Sequence, residues 1–212
     1  MLNIHEIYPT IEGETTLTGW PCTIVRLAGC NLRCSWCDTQ YAYEKGEPQE
    51  IAGIIEKARD NGFKRVLVTG GEPLMQGECT GLITALADAR FDVFVETNGT
   101  YDIAPIDSRA VVRLDLKTPS SHQDDQVLWE NIPKLKPRDE VKLIIADAQD
   151  YSWAVEKVRE YGLMSKVAVN FTPELNSMRS HILAKWILDD KLDVRLNMQL
   201  HKVIWGIGAR GV

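Results

Sequence analysis

Residues 22–37 read CTIVRLAGCNLRCSWC, so an apolar run leads directly into three cysteines. The run 22–28 is rich in aliphatic residues, which is typical of a strand buried on both faces of a sheet. Cys30, Cys34 and Cys37 follow with the spacing Cys-x3-Cys-x2-Cys. A four-iron cluster is normally held by four thiolates. Three thiolates would therefore leave one iron open to hold a small molecule and react with it.

Zinc and disulfide bonding are the alternatives for the three cysteines. Structural zinc usually takes two pairs of ligands, whereas Cys79 is distant and the four histidines are scattered along the chain. A disulfide would need an oxidising compartment, and nothing in the sequence indicates one. We therefore expect an iron–sulfur cluster, with zinc as the second hypothesis and a disulfide as the third. We expect Cys22 and Cys79 to pack as small buried hydrophobes.

Composition limits the kind of protein that this chain forms. Its 212 residues, 44% of them hydrophobic, suit one domain that spans residues 1–212. The formal net charge of −6 argues against a nucleic-acid partner. The N-terminus lacks the basic and apolar segments of a signal peptide, and no apolar run reaches the roughly 20 residues that cross a bilayer. We expect a cytoplasmic protein with no nucleic-acid partner and no membrane partner.

Strand-like and helix-like patterns alternate along the chain. Apolar, strand-like runs occupy residues 22–28, 65–69, 92–97, 111–116, 141–146, 166–171 and 193–197. Helical patterns occupy residues 50–61, 80–90 and 152–161, with Ser152 as the expected N-cap, and a fourth includes Met178, Ile182, Leu183, Trp186 and Ile187. Such alternation predicts βαβ crossovers and a parallel sheet. The helices are too few for eight βα units, so we predict a single α/β domain with a partial, open (β/α) barrel.

Polar or glycine-rich segments follow five of the predicted strands. They are the cysteine loop 30–39, Gly70-Gly71-Glu72-Pro73, Asn98-Gly99, Lys117 and Thr172-Pro173-Glu174. In (β/α) barrels the chemistry lies on the loops at the carboxyl ends of the strands. We therefore expect these five segments to meet at one rim of the sheet.

The cysteine motif and Gly70-Gly71-Glu72-Pro73, placed at successive strand ends, resemble the radical S-adenosylmethionine (SAM) superfamily. Further segments resemble the 7-carboxy-7-deazaguanine synthase family within it, over nearly the whole chain. These segments are PTIEGE at residues 9–14, VRLAG at 25–29, ETNG at 96–99, DLKTPSS at 115–121 and QLHKVIWG at 199–206. The resemblance also has departures, since the family often carries Gln where Glu12 stands and Gly where Thr15 stands.

The resemblance implies a carbon–nitrogen lyase with a [4Fe-4S] cluster, SAM and Mg²⁺. The reduced cluster would cleave SAM to a 5′-deoxyadenosyl radical, which would take a hydrogen atom from 6-carboxy-5,6,7,8-tetrahydropterin. Ring contraction and loss of ammonia would then give 7-carboxy-7-deazaguanine for queuosine and other deazapurines. The cofactors would do the hard chemistry, and the protein would bind and orient them. An electron donor such as flavodoxin or ferredoxin and a homodimer are also implied.

The resemblance assigns residues to the two cofactors. Cys30, Cys34 and Cys37 would hold the cluster, and Thr39 would bind Mg²⁺, although a Thr hydroxyl can instead bond its own turn. The SAM candidates are Trp36, Cys37, Asp38, Gly70, Gly71, Glu72, Asn98, Asp115, Lys117, Thr172, Pro173 and Glu174. Hydrophobic cover over the cluster is the alternative for Trp36, and a turn is the alternative for Gly70, Gly71 and Asn98. Surface charge is the alternative for Asp115, Lys117 and the loop 172–174.

Another group of residues is assigned to the substrate, partly within an N-terminal segment 1–21 and a C-terminal tail 198–212. These candidates are Ile11, Glu12, Gly13, Arg26, Thr69, His201 and the terminal carboxylate of Val212. Arg26 lies in an apolar strand, where an unpaired charge is costly, and its guanidinium can grip a carboxylate. A structural ion pair is the alternative for Arg26.

Three competing functions remain open at this point. A glycyl-radical-enzyme activase is another compact member of the superfamily, although the Glu12-Gly13-Glu14 segment and the sequence 201–206 argue against it. A non-catalytic iron–sulfur carrier and a zinc-stabilised binding module would both keep the cysteines without the reaction. Metal content and a spectral response to SAM would distinguish these hypotheses.

Overall fold

Nine strands form one sheet in a computed structural model that describes residues 1–44 and 46–211. The order across the sheet is β3-β1-β2-β4-β5-β6-β7-β8-β9. The strands are β1 (Leu2–Ile11), β2 (Pro21–Leu27), β3 (Glu47–Gln49), β4 (Arg65–Gly70), β5 (Asp92–Thr97), β6 (Val111–Leu116), β7 (Glu140–Ile145), β8 (Ala168–Pro173) and β9 (Arg195–Leu196). From β2 to β9 each neighbouring pair is parallel.

Helices connect only some of the parallel strands. Within the described residues, the α-helices are α1 (Ile51–Asp60), α2 (Cys79–Asp88), α3 (Ala148–Glu160), α4 (Ser180–Asp189) and α5 (Leu200–Trp205). The chain passes from β5 to β6 and from β6 to β7 without an α-helix. The strand order runs between two edge strands, β3 and β9. The prediction of an open, partial (β/α) barrel in an α/β fold is therefore confirmed.

The two faces of the central strands carry different side chains because the side-chain period of a strand is two. Val112, Leu114 and Leu116 of β6 belong to the apolar core beneath the helices. The residues between them, Arg113 and Asp115, are polar and buried on the other face. β7 repeats this arrangement, with Val141, Leu143 and Ile145 in the apolar core and Glu140 and Lys142 among the buried charged residues. One face of the sheet thus packs on helices, and the other forms a polar interior.

The N-terminal strand β1 was not predicted from the sequence. It pairs antiparallel with β2, with a register shift between Ile4 and Glu6, and this irregularity breaks the alternation that marks a strand. Pro9 lacks an N–H donor, but β3 pairs with β1 only over Leu2–Ile4. Pro9 therefore lies where one edge of β1 has no neighbouring strand, and a proline is tolerated there.

Ser152 is not the N-cap of α3, and that prediction was wrong. The helix begins at Ala148, and the side chain of Asp147 caps it by accepting from the Asp150 N–H at 2.9 Å. Ser152 lies one turn inside the helix, where its hydroxyl donates to the Ala148 carbonyl at 2.9 Å. A serine in a helix can bond the carbonyl four residues back, so a polar residue beside an apolar stripe does not by itself define the first turn.

The apolar core lies between the sheet and helices α1 to α4, and it includes Cys79. Cys22 is also free and buried, as expected, but it lies on the same face of β2 as Arg26. Phe171 of β8 is fully buried, and its ring meets the ring of Tyr151 edge-on at 6.0 Å between centroids. No helix in residues 1–44 and 46–211 is long and apolar enough to cross a membrane.

We expect Phe171→Ala to destabilise the fold by about 3–5 kcal/mol, because it removes buried ring contacts and leaves a cavity. The matched control is Leu188→Ala, since Leu188 is 75% exposed and its truncation should change stability by no more than about 0.5 kcal/mol. Urea unfolding of the anaerobically reconstituted proteins measures both. Similar losses in the two variants would contradict this placement of the core.

Candidate active site

The ends of the parallel strands converge on one cavity of about 480 Å³. The five strand-end segments that the sequence singled out all contribute to its wall, through residues such as Cys34, Gly70, Asn98, Lys117 and Thr172. Of the proposed site residues that the structure describes, Glu72 alone does not line this cavity. Val212 lies outside the described residues.

The three cysteines of the motif lie together on the wall of the cavity. Cys30, Cys34 and Cys37 are free thiols in the loop after β2. The Leu32 N–H donates to Cys30 Sγ at 3.5 Å, and Asn98 Nδ2 lies 4.0 Å from the same sulfur. Burial raises the pKa of the Cys30 and Cys34 thiols, against the opposing charge of Lys117. Metal ligation removes such protons, because the thiolate is the ligand.

Gly70 and Gly71 allow β4 to approach the start of the cysteine loop. A Cβ on Gly70 would lie 2.5 Å from the Leu27 carbonyl oxygen, and one on Gly71 would lie 2.0 Å from the Gly29 carbonyl oxygen. The Glu72 N–H donates to the same Gly29 oxygen at 2.8 Å. The sequence suggested that these glycines make room for SAM. In the structure they first make room for the backbone that carries Cys30.

Glu72 lies behind the cavity wall. Its carboxylate accepts from the Leu74 N–H at 2.9 Å, the Thr97 hydroxyl at 2.8 Å and the Asn98 N–H at 2.7 Å. Burial raises the pKa of Glu72 to about 7 despite these hydrogen bonds. Glu72 thus fixes the backbone of Asn98 on the wall, and its direct contact with SAM stays a prediction.

Lys142 connects three carboxylates inside the cavity. Its Nζ lies 2.8 Å from Glu14 Oε2 and 3.3 Å from Asp115 Oδ2, and it also contacts Glu96. Asp115 in turn pairs with Lys117 at 3.1 Å. Burial would lower the pKa of Lys142, but the three carboxylates outweigh it and hold that pKa well above its usual range.

Sequence reasoning missed Lys142, Glu14 and Glu96 as parts of the site. Lys142 is 128 residues from Glu14 and 46 residues from Glu96 in the chain, so no local motif contains the group. A signal was present, however. Lys142 and Arg113 interrupt apolar strands in the same way as Arg26, and a charge in a buried strand requires a partner.

The N-terminal segment and α5 meet at the cavity wall. The Leu200 N–H donates to the Gly13 carbonyl at 2.8 Å, and Gln199 Nε2 donates to Glu14 at 2.6 Å. The His201 ring packs directly against Gly13: a Cβ on Gly13 would lie only 1.9 Å from Nδ1 of His201. The structure thus brings the proposed substrate residues of both chain ends, including Ile11 and Glu12, into one cavity.

Arg26 lines the cavity and also forms an ion pair. Its Nε lies 2.6 Å from Glu6 Oε1, and its Nη2 donates to the Tyr8 hydroxyl at 3.2 Å. The structural ion pair that the sequence analysis gave as the alternative is therefore present. Carboxylate binding by Arg26 stays a prediction, as does the role of Thr69 beside it on the wall.

Asp38 links the cysteine loop to the C-terminal segment. Its Oδ2 lies 2.7 Å from Lys202 Nζ, and its Oδ1 accepts from the Thr39 hydroxyl at 2.9 Å. Burial opposes ionisation of Asp38, but Lys202 and Thr39 outweigh it and lower the pKa of Asp38 to about 2.

Trp36 Nε1 is buried without a hydrogen-bond partner in the described part of the chain. Trp36 thus keeps a free donor at the wall.

Comparisons with known proteins agree with this geometry. Residues 24–176 match the radical SAM superfamily. The chain is 40% identical to the 7-carboxy-7-deazaguanine synthase of Chlorobaculum tepidum, covering all of this chain and 97% of that protein. It is 38% identical to the same-named protein of Koribacter versatilis over the full length of both. This chain belongs to the 7-carboxy-7-deazaguanine synthase family of radical SAM enzymes.

The fold comparison gives the same architecture. QueE from Escherichia coli has a TM-score of 0.77 to this structure, with 22% sequence identity and 94% of each chain covered. Membership in the radical SAM superfamily implies a [4Fe-4S] cluster and SAM. The residues fit these groups, because three free thiols line one cavity and the loop that carries them adjoins glycine backbone. The zinc, disulfide and carrier hypotheses therefore give way to the enzyme.

We expect Gly71→Ala to lower the iron and sulfide content of the reconstituted protein, because the added methyl group displaces the backbone next to Cys30. Gly77→Ala is the matched control, since a Cβ there meets nothing within 4 Å. Iron and sulfide assays with visible absorption spectra measure the effect. Full cluster content in Gly71→Ala would show that the close approach of the two strands is unnecessary.

Proposed function

We propose that this protein converts 6-carboxy-5,6,7,8-tetrahydropterin to 7-carboxy-7-deazaguanine with loss of ammonia, for queuosine and other deazapurines. One observation carries the proposal: a single cavity holds the three free thiols together with polar residues suited to a carboxylated pterin. Its volume of about 480 Å³ lies in the usual range for small-molecule sites.

The cofactors supply hydrogen-atom abstraction when they are bound, and the chain supplies binding and orientation. Cys30, Cys34 and Cys37 would hold the cluster. Gly70, Gly71 and Asn98 would face SAM from one side of the cavity, and the loop Thr172-Pro173-Glu174 would face it from the other. Asp115 and Lys117 form a buried pair between these groups, which supports a role in the site rather than on the surface.

Substrate recognition would depend on complementary charge. The aminopyrimidinone edge of a pterin presents N–H donors, and ionised carboxylates such as Glu12 and Glu14 only accept hydrogen bonds. The substrate carboxylate would need hydrogen-bond donors, which the Arg26 guanidinium and the His201 ring would provide at the cavity wall. Lys142 would keep Glu14 ionised and in place through their 2.8 Å contact.

Closure of the cavity would depend on the C-terminal segment. Gln199, His201, Lys202 and residues 205–210 line the cavity. The Arg210 guanidinium lies 4.4 Å from the centre of the Tyr41 ring. The pair of Lys202 and Asp38 ties this segment to the cysteine loop. Exclusion of water protects reactive intermediates from side reactions.

Further components of the proposal come from the family resemblance. Thr39 would bind Mg²⁺ together with substrate oxygens and water, as this hard cation prefers. A reductant such as flavodoxin or ferredoxin would deliver the electron. The protein would act as a homodimer in the cytoplasm.

An anaerobic reaction tests the proposed function directly. Reduced, reconstituted protein is mixed with SAM, Mg²⁺ and 6-carboxytetrahydropterin, and the products are followed by mass spectrometry. We expect 7-carboxy-7-deazaguanine, and none when Cys30, Cys34 and Cys37 are all replaced by Ala. Formation of 5′-deoxyadenosine and methionine without the deazaguanine would support the superfamily and refute this substrate.

Arg26→Ala should raise the KM for the pterin roughly 10- to 100-fold, the equivalent of losing a hydrogen bond between charged groups. Cleavage of SAM without substrate should be unchanged. Glu6→Gln is the matched control, because it breaks the Arg26–Glu6 ion pair but keeps the guanidinium. Equal effects of the two variants on KM would mean that Arg26 serves only the ion pair.

A further inference from the structure

Arg113 is the most deeply buried cation among the described residues that the function has not yet used. It lies on β6 and is 1% exposed, between Val112 and Leu114 of the apolar core. Its guanidinium points to the opposite, polar face of the sheet. Transfer of an ion from water to such a place costs several kcal/mol, and only well-placed partners compensate for it.

Glu12 is the principal partner of Arg113. Arg113 Nη1 donates to Glu12 Oε2 at 2.8 Å, whereas the nearest oxygen of Glu140 is 3.7 Å from Nε. Glu140 is already engaged, since it accepts from the Thr16 hydroxyl at 2.7 Å and from Asn170 Nδ2 at 3.0 Å. Arg113 Nε and Nη2 have no hydrogen-bond partner in residues 1–44 and 46–211.

The two members of this pair face different surroundings. Glu12 lines the cavity and Arg113 does not. Any effect of Arg113 on a ligand must therefore pass through Glu12. Because Arg113 holds Oε2, the oxygen that remains is Oε1, which accepts from the Glu14 N–H at 3.3 Å. A carboxylate oxygen has two acceptor sites, so Oε1 keeps one for a ligand.

We propose that Arg113 is a positioning residue for substrate recognition: it holds Glu12 so that Oε1 is presented to N–H donors of the substrate. This inference rests on the proposed function, because the donors belong to the aminopyrimidinone edge of the pterin. A pair that served only the fold could be replaced by apolar residues at no loss of stability. A pair that orients an acceptor explains why one member lines the cavity and the other is hidden.

The geometry makes an unusual prediction for Glu12→Gln. Arg113 has donors only, so it requires the single amide oxygen of the new side chain. The amide NH₂ then takes the place of Oε1, where it opposes the Glu14 N–H and the donors of the substrate. We expect the KM for the pterin to rise roughly 10- to 100-fold, as for a lost hydrogen bond to a charged group, with kcat changed little.

Removal of Arg113 should reverse this defect. In Glu12→Gln with Arg113→Met the amide is free to turn its oxygen toward the cavity, so we expect the KM to return most of the way to the wild-type value. Glu12→Gln with Arg113→Lys is the matched control, because lysine also has donors only and should preserve the defect.

The outcomes separate this inference from the proposed function. If the wild type forms no 7-carboxy-7-deazaguanine, the proposed function fails. If the wild type forms it and Glu12→Gln leaves the KM unchanged, the inference about Arg113 is overturned. This test uses a single substitution of similar size, so it leaves Arg113 and the rest of the site in place. Persistence of the KM defect in the variant with methionine, confirmed as folded by circular dichroism, would also overturn it.

Discussion

The polar face of a buried sheet is the constraint on which this site depends. Strands β6 and β7 place apolar side chains under the helices, so the residues between them must point inward. Four of those are charged: Arg113 and Asp115 on β6, and Glu140 and Lys142 on β7. Charges in such a place are stable only when each has a partner. Asp115 and Lys142 pair with each other at 3.3 Å, and further partners come from chain segments that enter the interior.

The N-terminal segment after β1 meets that requirement. Glu12 pairs with Arg113, Glu14 pairs with Lys142, and the Thr16 N–H and hydroxyl bond to Glu140. Glu12 and Glu14 therefore pair with the buried cations of the sheet and also form part of the cavity wall. This double use explains why a strand antiparallel to β2 precedes the parallel part of the fold, since it delivers the segment to the interior.

The sequence predicted the parallel sheet, and it predicted that the cysteine loop and the glycine segment meet at one rim, for physical reasons. Continuous aliphatic runs mark strands buried on both faces. The three cysteines form one short motif, and Gly70 and Gly71 belong to another, so each motif can be recognised locally. β1 escaped prediction because a register shift interrupts its pattern. The Lys142 group escaped because its members are brought together only by folding. A charge inside an apolar run, as at Arg113 and Lys142, is the local sign of such a group.

The loop 30–39 connects the three cysteines to the C-terminal part of the cavity wall. Burial raises the pKa of the Cys30 and Cys34 thiols, so the metal-free loop keeps protons that ligation must displace. Once the cysteines are fixed by a cluster, Asp38 next to Cys37 is fixed as well. Asp38 pairs with Lys202 of α5, and α5 packs on Gly13 through Leu200. These contacts connect the cysteine loop to both chain segments that line the cavity.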